Sequence, residues 1–157
     1  MAVFTKFKRK GPDAVFCLQE THSTERSQGD FEKDFNTHHL FFSNGTSNSN
    51  GVITAIPKSL DMKIIRTDRD DGGRFLILDV EFNQELFTIA NIYMPTRTFE
   101  AQQIQVLNNF ILKLFNDSQS NNYILGGDWN LYMSLLLDKL DTMPETNDNA
   151  DYCIEKT

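Results

Sequence analysis

Three sets of polar residues interrupt apolar stretches in places where chemistry could be done: Glu20, the Asn91/Tyr93 pair and the Asp128/Asn130 pair. Each stands at or near the C-terminal end of an apolar run. The members of each pair are two residues apart, so in an extended chain both side chains point to the same side. The end of a strand is a rigid place from which to present a side chain to a ligand. Carboxylate, amide and phenol oxygens with no thiolate or imidazole cluster beside them suit Mg²⁺ or Mn²⁺ rather than zinc. Such an ion in turn suits phosphate chemistry, where it neutralises developing negative charge. Taken singly, every one of these residues has an ordinary alternative. Glu20 reads as a solvated loop carboxylate, Asn91 as a hydrogen-bond partner for a loop, Tyr93 as core, Gly126-Gly127-Asp128 as a turn, and His22 as a surface residue. Their order and their strand context give the combination its weight.

The elements that must position these residues can be read from periodicity. Ala2 to Lys10 has the pattern of the last turns of a helix, stopped by Gly11-Pro12. Ala14 to Leu18 is a short apolar run and reads as a buried strand leading to Glu20. Residues 23–37 read as a polar connection with room for one helical turn. Gly51 to Ile56 is a β-branched strand closed by Pro57, and Met62 to Arg66 is a further strand candidate. Arg74 to Phe82 and Leu86 to Met94 flank Asn83-Gln84-Glu85 as a hairpin. In the second of these strands Phe87, Ile89, Asn91 and Tyr93 share a face. Phe99 to Phe115 is the best helix, with Ile104, Leu107, Phe110, Ile111, Leu114 and Phe115 in one stripe. Thr98 is its expected N-cap, with Glu100 in the first turn. Asn122 to Leu125 reads as a strand running into Gly126-Gly127-Asp128-Trp129-Asn130, and the chain is polar and loose in pattern after Leu140. Strands, a helix and another strand imply an α/β domain with largely antiparallel sheet.

Composition narrows the class. At 157 residues the chain matches one domain, and 39% hydrophobic with 24% charged residues excludes a disordered tail or a fibrous repeat. No apolar run is long enough to span a membrane, and the basic start leaves no secretory h-region. Cys17 and Cys153 form no CxxC pair, and His22, His38 and His39 match no zinc spacing. An unsecreted, intracellular protein in a reducing compartment is expected. Charge is uneven: residues 1–66 hold nine Lys/Arg against seven Asp/Glu, and residues 67–157 hold six against fifteen. The chain lacks the bulk basic character of a DNA-binding domain, so any nucleic-acid reading has to come from specific residues.

Those residues carry a resemblance. PDAVFCLQETH (Pro12–His22), SNGVITAIP (Ser49–Pro57), NIYMP (Asn91–Pro95) and GGDWN (Gly126–Asn130), in this order, resemble the endonuclease/exonuclease/phosphatase superfamily. The nearest likeness is to the apurinic-endonuclease-like domain of LINE-type retrotransposons. The resemblance implies a four-layer sandwich, two mainly antiparallel β-sheets flanked by helices, with the site at one end. It implies Glu20 as a ligand of Mg²⁺ or Mn²⁺, Tyr93 as a contact to the scissile phosphate, and Asp128 as the group that activates the attacking water. It implies Asn130 as support for the transition-state oxygens, Asn91 as a buttress close to substrate, and His22 as a substrate contact. DNA is the implied partner, and the nucleus is where a retrotransposon endonuclease would act, although no segment reads as a nuclear signal.

Residues 1–157 also depart from the family pattern. The strand and asparagine that should precede the first helix, and the second carboxylate strand and Ser-Asp-His motif that should close the domain, are not in the sequence. Thr96 follows the proline where many relatives carry asparagine. The expectation is therefore an incomplete sandwich whose endonuclease activity is weakened by truncation. Two alternatives stand beside it: a phosphoinositide phosphatase or deadenylase on the same scaffold, and a non-catalytic remnant.

Overall fold

A computed structural model of the chain describes residues 13–96 and 100–130. The expected helix at Ala2–Lys10, its Gly11-Pro12 stop, the Thr98 cap and the stretch after Leu140 lie outside these residues. The elements in order are β1 (Phe16–Leu18), α1 (Gln28–Asp34), β2 (His38–Ser43), β3 (Val52–Pro57), β4 (Lys63–Arg69), β5 (Phe75–Phe82), β6 (Glu85–Tyr93), α2 (Glu100–Asn116) and β7 (Tyr123–Asp128). They form two sheets, ordered β1-β3-β2 and β4-β5-β6-β7. Every pairing is antiparallel except β6 with β7, which is parallel because α2 carries the chain back across the sheet.

The layers follow from which apolar residues meet. Val52 and Ile56 of β3 pack against Leu76, Leu78 and Val80 of β5 and Ile89 and Tyr93 of β6, closing the space between the sheets. The opposite face of β5 and β6, with Phe75, Ile77, Ala90 and Ile92, receives Phe110 and Leu114 of α2. Phe16, Leu18, Ile53 and Ala55 turn outward from the smaller sheet onto Phe31 and Phe35 at α1. The result is an α/β sandwich of two sheets with a helix on either side. Because β5 is covered on both faces, its residues from Phe75 to Val80 are all buried.

Several boundaries differ from the sequence reading. The hairpin connector is two residues, Asn83 and Gln84, at φ 52° and 66°, and Glu85 already pairs with Phe82. Two positive-φ residues give the turn a twist that matches its strands. The connection 23–37 holds a helix of seven residues, and β2 was not anticipated. On α2 only part of the expected stripe is covered: Phe110 and Leu114 are buried, whereas Ile104 is 61% and Phe115 60% exposed. The covered face holds Leu107 of that stripe, half-buried, and adds Gln103 and the half-buried Val106, which the stripe did not include. Tyr123, Ile124 and Leu125 of β7 are exposed as well.

A polar cluster at the far end of β5 ties the exit of α2 to the sheet. Asp79 is completely buried and accepts hydrogen bonds from Arg66 Nε at 2.7 Å, Thr88 Oγ1 at 2.7 Å and the Gln119 N–H at 3.2 Å. Burial alone would raise its pKa. The bonds from Thr88, Arg66 and Gln119, with the charge of Arg66, outweigh that and hold the carboxyl below its ordinary value.

Candidate active site

The site is built where β1, β6 and β7 end together. β6 and β7 run parallel in a register that sets Tyr93 opposite Asp128 and Asn91 opposite Gly126. The Met94 N–H then donates to the Asp128 carbonyl at 2.8 Å, continuing the ladder past the strand end. Two glycines allow this approach. A Cβ on Gly126 would stand 2.9 Å from Cys17 Sγ, and one on Gly127, at φ 143°, would collide with the Ile92 carbonyl. A side chain at either position would push β7, and Asp128 with it, off its neighbours.

From the other sheet, Leu18 ends β1 and the chain turns through Glu20 and His22, both at φ 51°. This turn is held by hydrogen bonds from Thr21 N–H to the Gly51 carbonyl at 3.0 Å and from His22 N–H to the Asn50 carbonyl at 2.8 Å. The turn aims Glu20 at β6, and Glu20 Oε1 accepts a hydrogen bond from the Tyr93 hydroxyl. That bond joins residues 73 positions apart and spans the two sheets.

Directly beneath it Asn91 does the same inside the core. It is fully buried, donating through Nδ2 to the Leu18 carbonyl at 3.2 Å and to the Ile53 carbonyl at 3.1 Å. Its Oδ1 accepts from Gln19 Nε2 at 2.7 Å. Every polar atom of this amide is thus turned to protein.

Asp128 is exposed, and its Oδ1 accepts from the Asn130 N–H at 3.0 Å. Asn130, at φ 45°, donates through Nδ2 to the Met94 carbonyl at 2.8 Å. Gln103 of α2 braces the same corner, donating to the Pro95 carbonyl at 2.6 Å and the Asn130 carbonyl at 3.3 Å. The Arg74 guanidinium lies over the Tyr93 ring, 5.0 Å from its centre. The Tyr93 hydroxyl titrates late as a result of its surroundings. Burial and then the Glu20 bond and charge push it up to about 12, with Asp128 adding to the rise and Arg74 opposing it.

The structure therefore brings Glu20, Tyr93, Asp128 and Asn130 to one corner, with Asn91 below them in the core. His22 stands exposed at the rim, held by its backbone, and its ring makes no hydrogen bond or ion pair among the described residues. Gln19, Arg74 and Gln103 were not singled out from sequence. Gln19 adjoins Glu20, and that adjacency was the available signal. No group of three His, Cys, Asp or Glu side chains able to hold a metal occurs among the described residues. Two exposed carboxylates, Glu20 and Asp128, nevertheless fit an ion such as Mg²⁺, which takes one or two carboxylates and fills its remaining positions with water and phosphate oxygens.

A model of the Endonuclease/Exonuclease/phosphatase family matches residues 2–144. The chain belongs to that family. Among curated proteins it is 28% identical over 147 residues to the transposon TX1 uncharacterized 149 kDa protein of Xenopus laevis, covering 92% of this chain and 11% of that one. Among solved structures, a humanized D. rerio TDP2 superposes with a TM-score of 0.62 at 18% identity, over 84% of this chain and 58% of the other. An AP endonuclease from Archaeoglobus fulgidus superposes with a TM-score of 0.57 at 21% identity, over 82% of this chain and 51% of the other. The chain thus spans a small part of its transposon relative and little more than half of either structure. Family membership and the shared fold agree with the α/β sandwich of two sheets described above.

Proposed function

We propose that the chain is a divalent-cation-dependent phosphodiesterase that nicks DNA, the endonuclease part of a retrotransposon-like element. The observation that carries this reading is the meeting of Glu20, Tyr93 and Asp128 at one corner of both sheets, around a single hydroxyl. Likeness to a transposon protein supports the setting, and family membership supports the chemistry. A bound Mg²⁺ or Mn²⁺ would neutralise charge on the phosphate.

The chain's own residues take the remaining parts. Glu20 offers its carboxylate to the cation. Tyr93 stays a phenol at neutral pH and can pass its O–H from Glu20 to a phosphate oxygen placed beside it. Asp128, with Oδ1 already fixed by the Asn130 N–H, has Oδ2 left to take the proton of the attacking water. That water forms the new P–O bond as the bridging P–O bond breaks, and the leaving oxygen takes its proton from solvent. Asn130 keeps a second N–H on Nδ2 for the transition-state oxygens. Asn91 is a positioning residue acting through β1, and His22 at the rim is placed to touch the substrate backbone.

The test is Mg²⁺-dependent nicking of supercoiled plasmid by the purified chain beside Asp128→Ala. Loss of the proton acceptor should lower nicking by about 10²-fold or more. Equal nicking by the two proteins overturns the assignment. The strongly acidic balance of residues 67–157 favours a second reading, a phosphoinositide phosphatase or deadenylase type of phosphoesterase. Hydrolysis of such a phosphoester by a protein that leaves plasmid intact would select it.

A further inference from the structure

We propose that two copies of the chain associate through β7, the two strands pairing antiparallel about a two-fold axis at Ile124 so that the larger sheet runs on from one copy into the other. The inference stands apart from the phosphodiesterase reading.

The two edges of the larger sheet are finished differently. β4, at one edge, carries Lys63, Arg66, Asp68 and Arg69 and is broken by a register shift between Ile64 and Arg66. Charge and irregularity of this kind stop an edge from recruiting another strand. β7, at the other edge, runs from Tyr123 to Asp128 as YILGGD and keeps register with β6 along its whole length. It pairs with nothing on its outer side among the described residues. The parallel ladder fixes which of its backbone groups are left over. The Asn122 and Asp128 carbonyls accept from the Thr88 and Met94 N–H groups at 2.8 Å each, so the even-numbered residues spend their polar groups on β6. Tyr123, Leu125 and Gly127 therefore turn their N–H and C=O outward.

Apolar surface flanks this edge. The Tyr123 ring meets that of Phe115 on α2, with centres 5.6 Å apart. At about 100° per residue Ile104 and Ile111 share that flank of the helix. The opposite flank looks the other way, with Lys113 reaching Asp68 of β4 at 3.3 Å. Ile104, Ile111, Phe115, Tyr123, Ile124 and Leu125 are 36–61% exposed. Such side chains offer on the order of 100 Å² apiece, and with the strand's own backbone they approach the roughly 800 Å² per partner of a stable interface. That exceeds the few hundred Å² a monomer ordinarily leaves in one apolar patch.

The edge matches a second copy of itself. Opposed residues of an antiparallel pair share a face, and in alternate pairs both turn their backbone polar groups to each other. A two-fold axis at Ile124 meets both conditions. Ile124 then faces its own counterpart in a non-hydrogen-bonded pair, and Tyr123 of each copy exchanges two backbone hydrogen bonds with Leu125 of the other. This axis also sets all three apolar residues of β7 against apolar residues. Tyr123 lies on the α2 face of the strand, and Leu125 shares that face, so the exposed flanks of the two α2 helices close over them from either side. Ile124 lies on the opposite face with Gly126, whose absent Cβ would meet Cys17 of the smaller sheet. The contact uses the same patch on both copies and closes at two.

The experiment is sedimentation velocity on the full chain at rising concentration into the sub-millimolar range, with circular dichroism to check each fold. The parent should form a dimer and nothing larger. Ile124→Lys sets two like charges at the axis and should weaken association about 100-fold. Lys63→Ala, on the β4 edge, should leave it unchanged. Ile124→Cys tests the axis itself. Non-hydrogen-bonded partners stand about 4.5 Å apart at Cα, within disulfide reach. Oxidised Ile124→Cys protein should therefore run as a reducible dimer, well above the level that the parent gives through Cys17 and Cys153, and Lys63→Cys protein should not. A folded parent that stays monomeric at every concentration overturns the proposal, as it would if residues 131–157 or another protein cover this face. Folded Ile124→Lys protein that associates as tightly as the parent also overturns it. If Ile124→Lys unfolds, Ile124→Cys protein that cross-links no more than Lys63→Cys protein overturns it.

Discussion

Replacing Tyr93 by phenylalanine removes one oxygen and leaves the ring where it is, which makes it the sharpest probe of the corner. The ring is 7% exposed and packs between the sheets with Val52, Ile56 and Ile89, and phenylalanine preserves that burial and the Arg74 stacking. The lost hydrogen bond goes to Glu20, an exposed carboxylate that water can serve instead. Stability should therefore fall by no more than about 1 kcal/mol. At about 2–4 °C per kcal/mol for a chain of this size, the melting temperature should drop by less than about 4 °C. Activity should respond far more. If the hydroxyl is a donor aimed at developing phosphate charge, its removal should cost about 10²-fold or more in kcat. The cost should fall on kcat rather than KM, because the donor matters most in the transition state. The assay is a time course of plasmid nicking with thermal unfolding of the same samples. The pH profile adds a check. Because the hydroxyl titrates at about 12 rather than near 10, no activity limb from Tyr93 should appear below about pH 10. Its raised pKa also means that its contribution to stability is complete below about pH 10 and is lost as pH rises toward 12. A Tyr93→Phe protein that melts like the parent and nicks at the parent's rate would refute the placement of this hydroxyl in the chemistry.

Two further substitutions test the supports. Gly127→Ala should destabilise by more than about 2 kcal/mol, because φ 143° is glycine territory and the added methyl meets the Ile92 carbonyl. Urea unfolding should show this, together with loss of nicking as Asp128 shifts. Asp79→Ala should cost about 2–3 kcal/mol, since it takes the acceptor from Arg66 Nε, Thr88 Oγ1 and the Gln119 N–H while Asp68 still pairs with the Arg66 guanidinium. With its folded pKa depressed, Asp79 contributes stability that is present above about pH 4 and lost as pH falls through the folded value. Urea midpoints measured from pH 7 down to pH 3 should fall less steeply in the variant than in the parent.

What could be read in the sequence was set by how local the governing forces are. β3, β5 and β6 announce themselves because β-branched and aromatic residues alternate between breakers, and the shared face of Ile89, Asn91 and Tyr93 is the one that turns to the other sheet. β2 begins with His38 and His39 and ends in Ser43, so its apolar signal is confined to three residues, and it forms because β3 pairs along its whole length. β7 continues through Gly126 and Gly127, where propensity argues for a turn. The close approach of Cys17 and Ile92 is what requires glycine there. The apolar stripe of α2 is wider than its buried face because spacing alone does not say which flank meets the sheet. At the candidate site, motif order singles out Glu20, Tyr93, Asp128 and Asn130, and the fold brings these four to one corner. Gln19 reaches Asn91 across 72 positions, and Arg74 reaches Tyr93 through strand pairing, so neither contact leaves a mark in local sequence.

The bond between Tyr93 and Glu20 also says something about time. The β5–β6 hairpin closes over a two-residue turn and can form early, whereas Glu20 meets Tyr93 only after a loop of 73 positions has closed and both sheets have docked. Chain emerging during synthesis would hold β1 and its carboxylate long before β6 and β7 exist to complete the corner. A site assembled in this way does not exist until the chain is folded, so the corner arrives as the last product of folding rather than as a property of any segment.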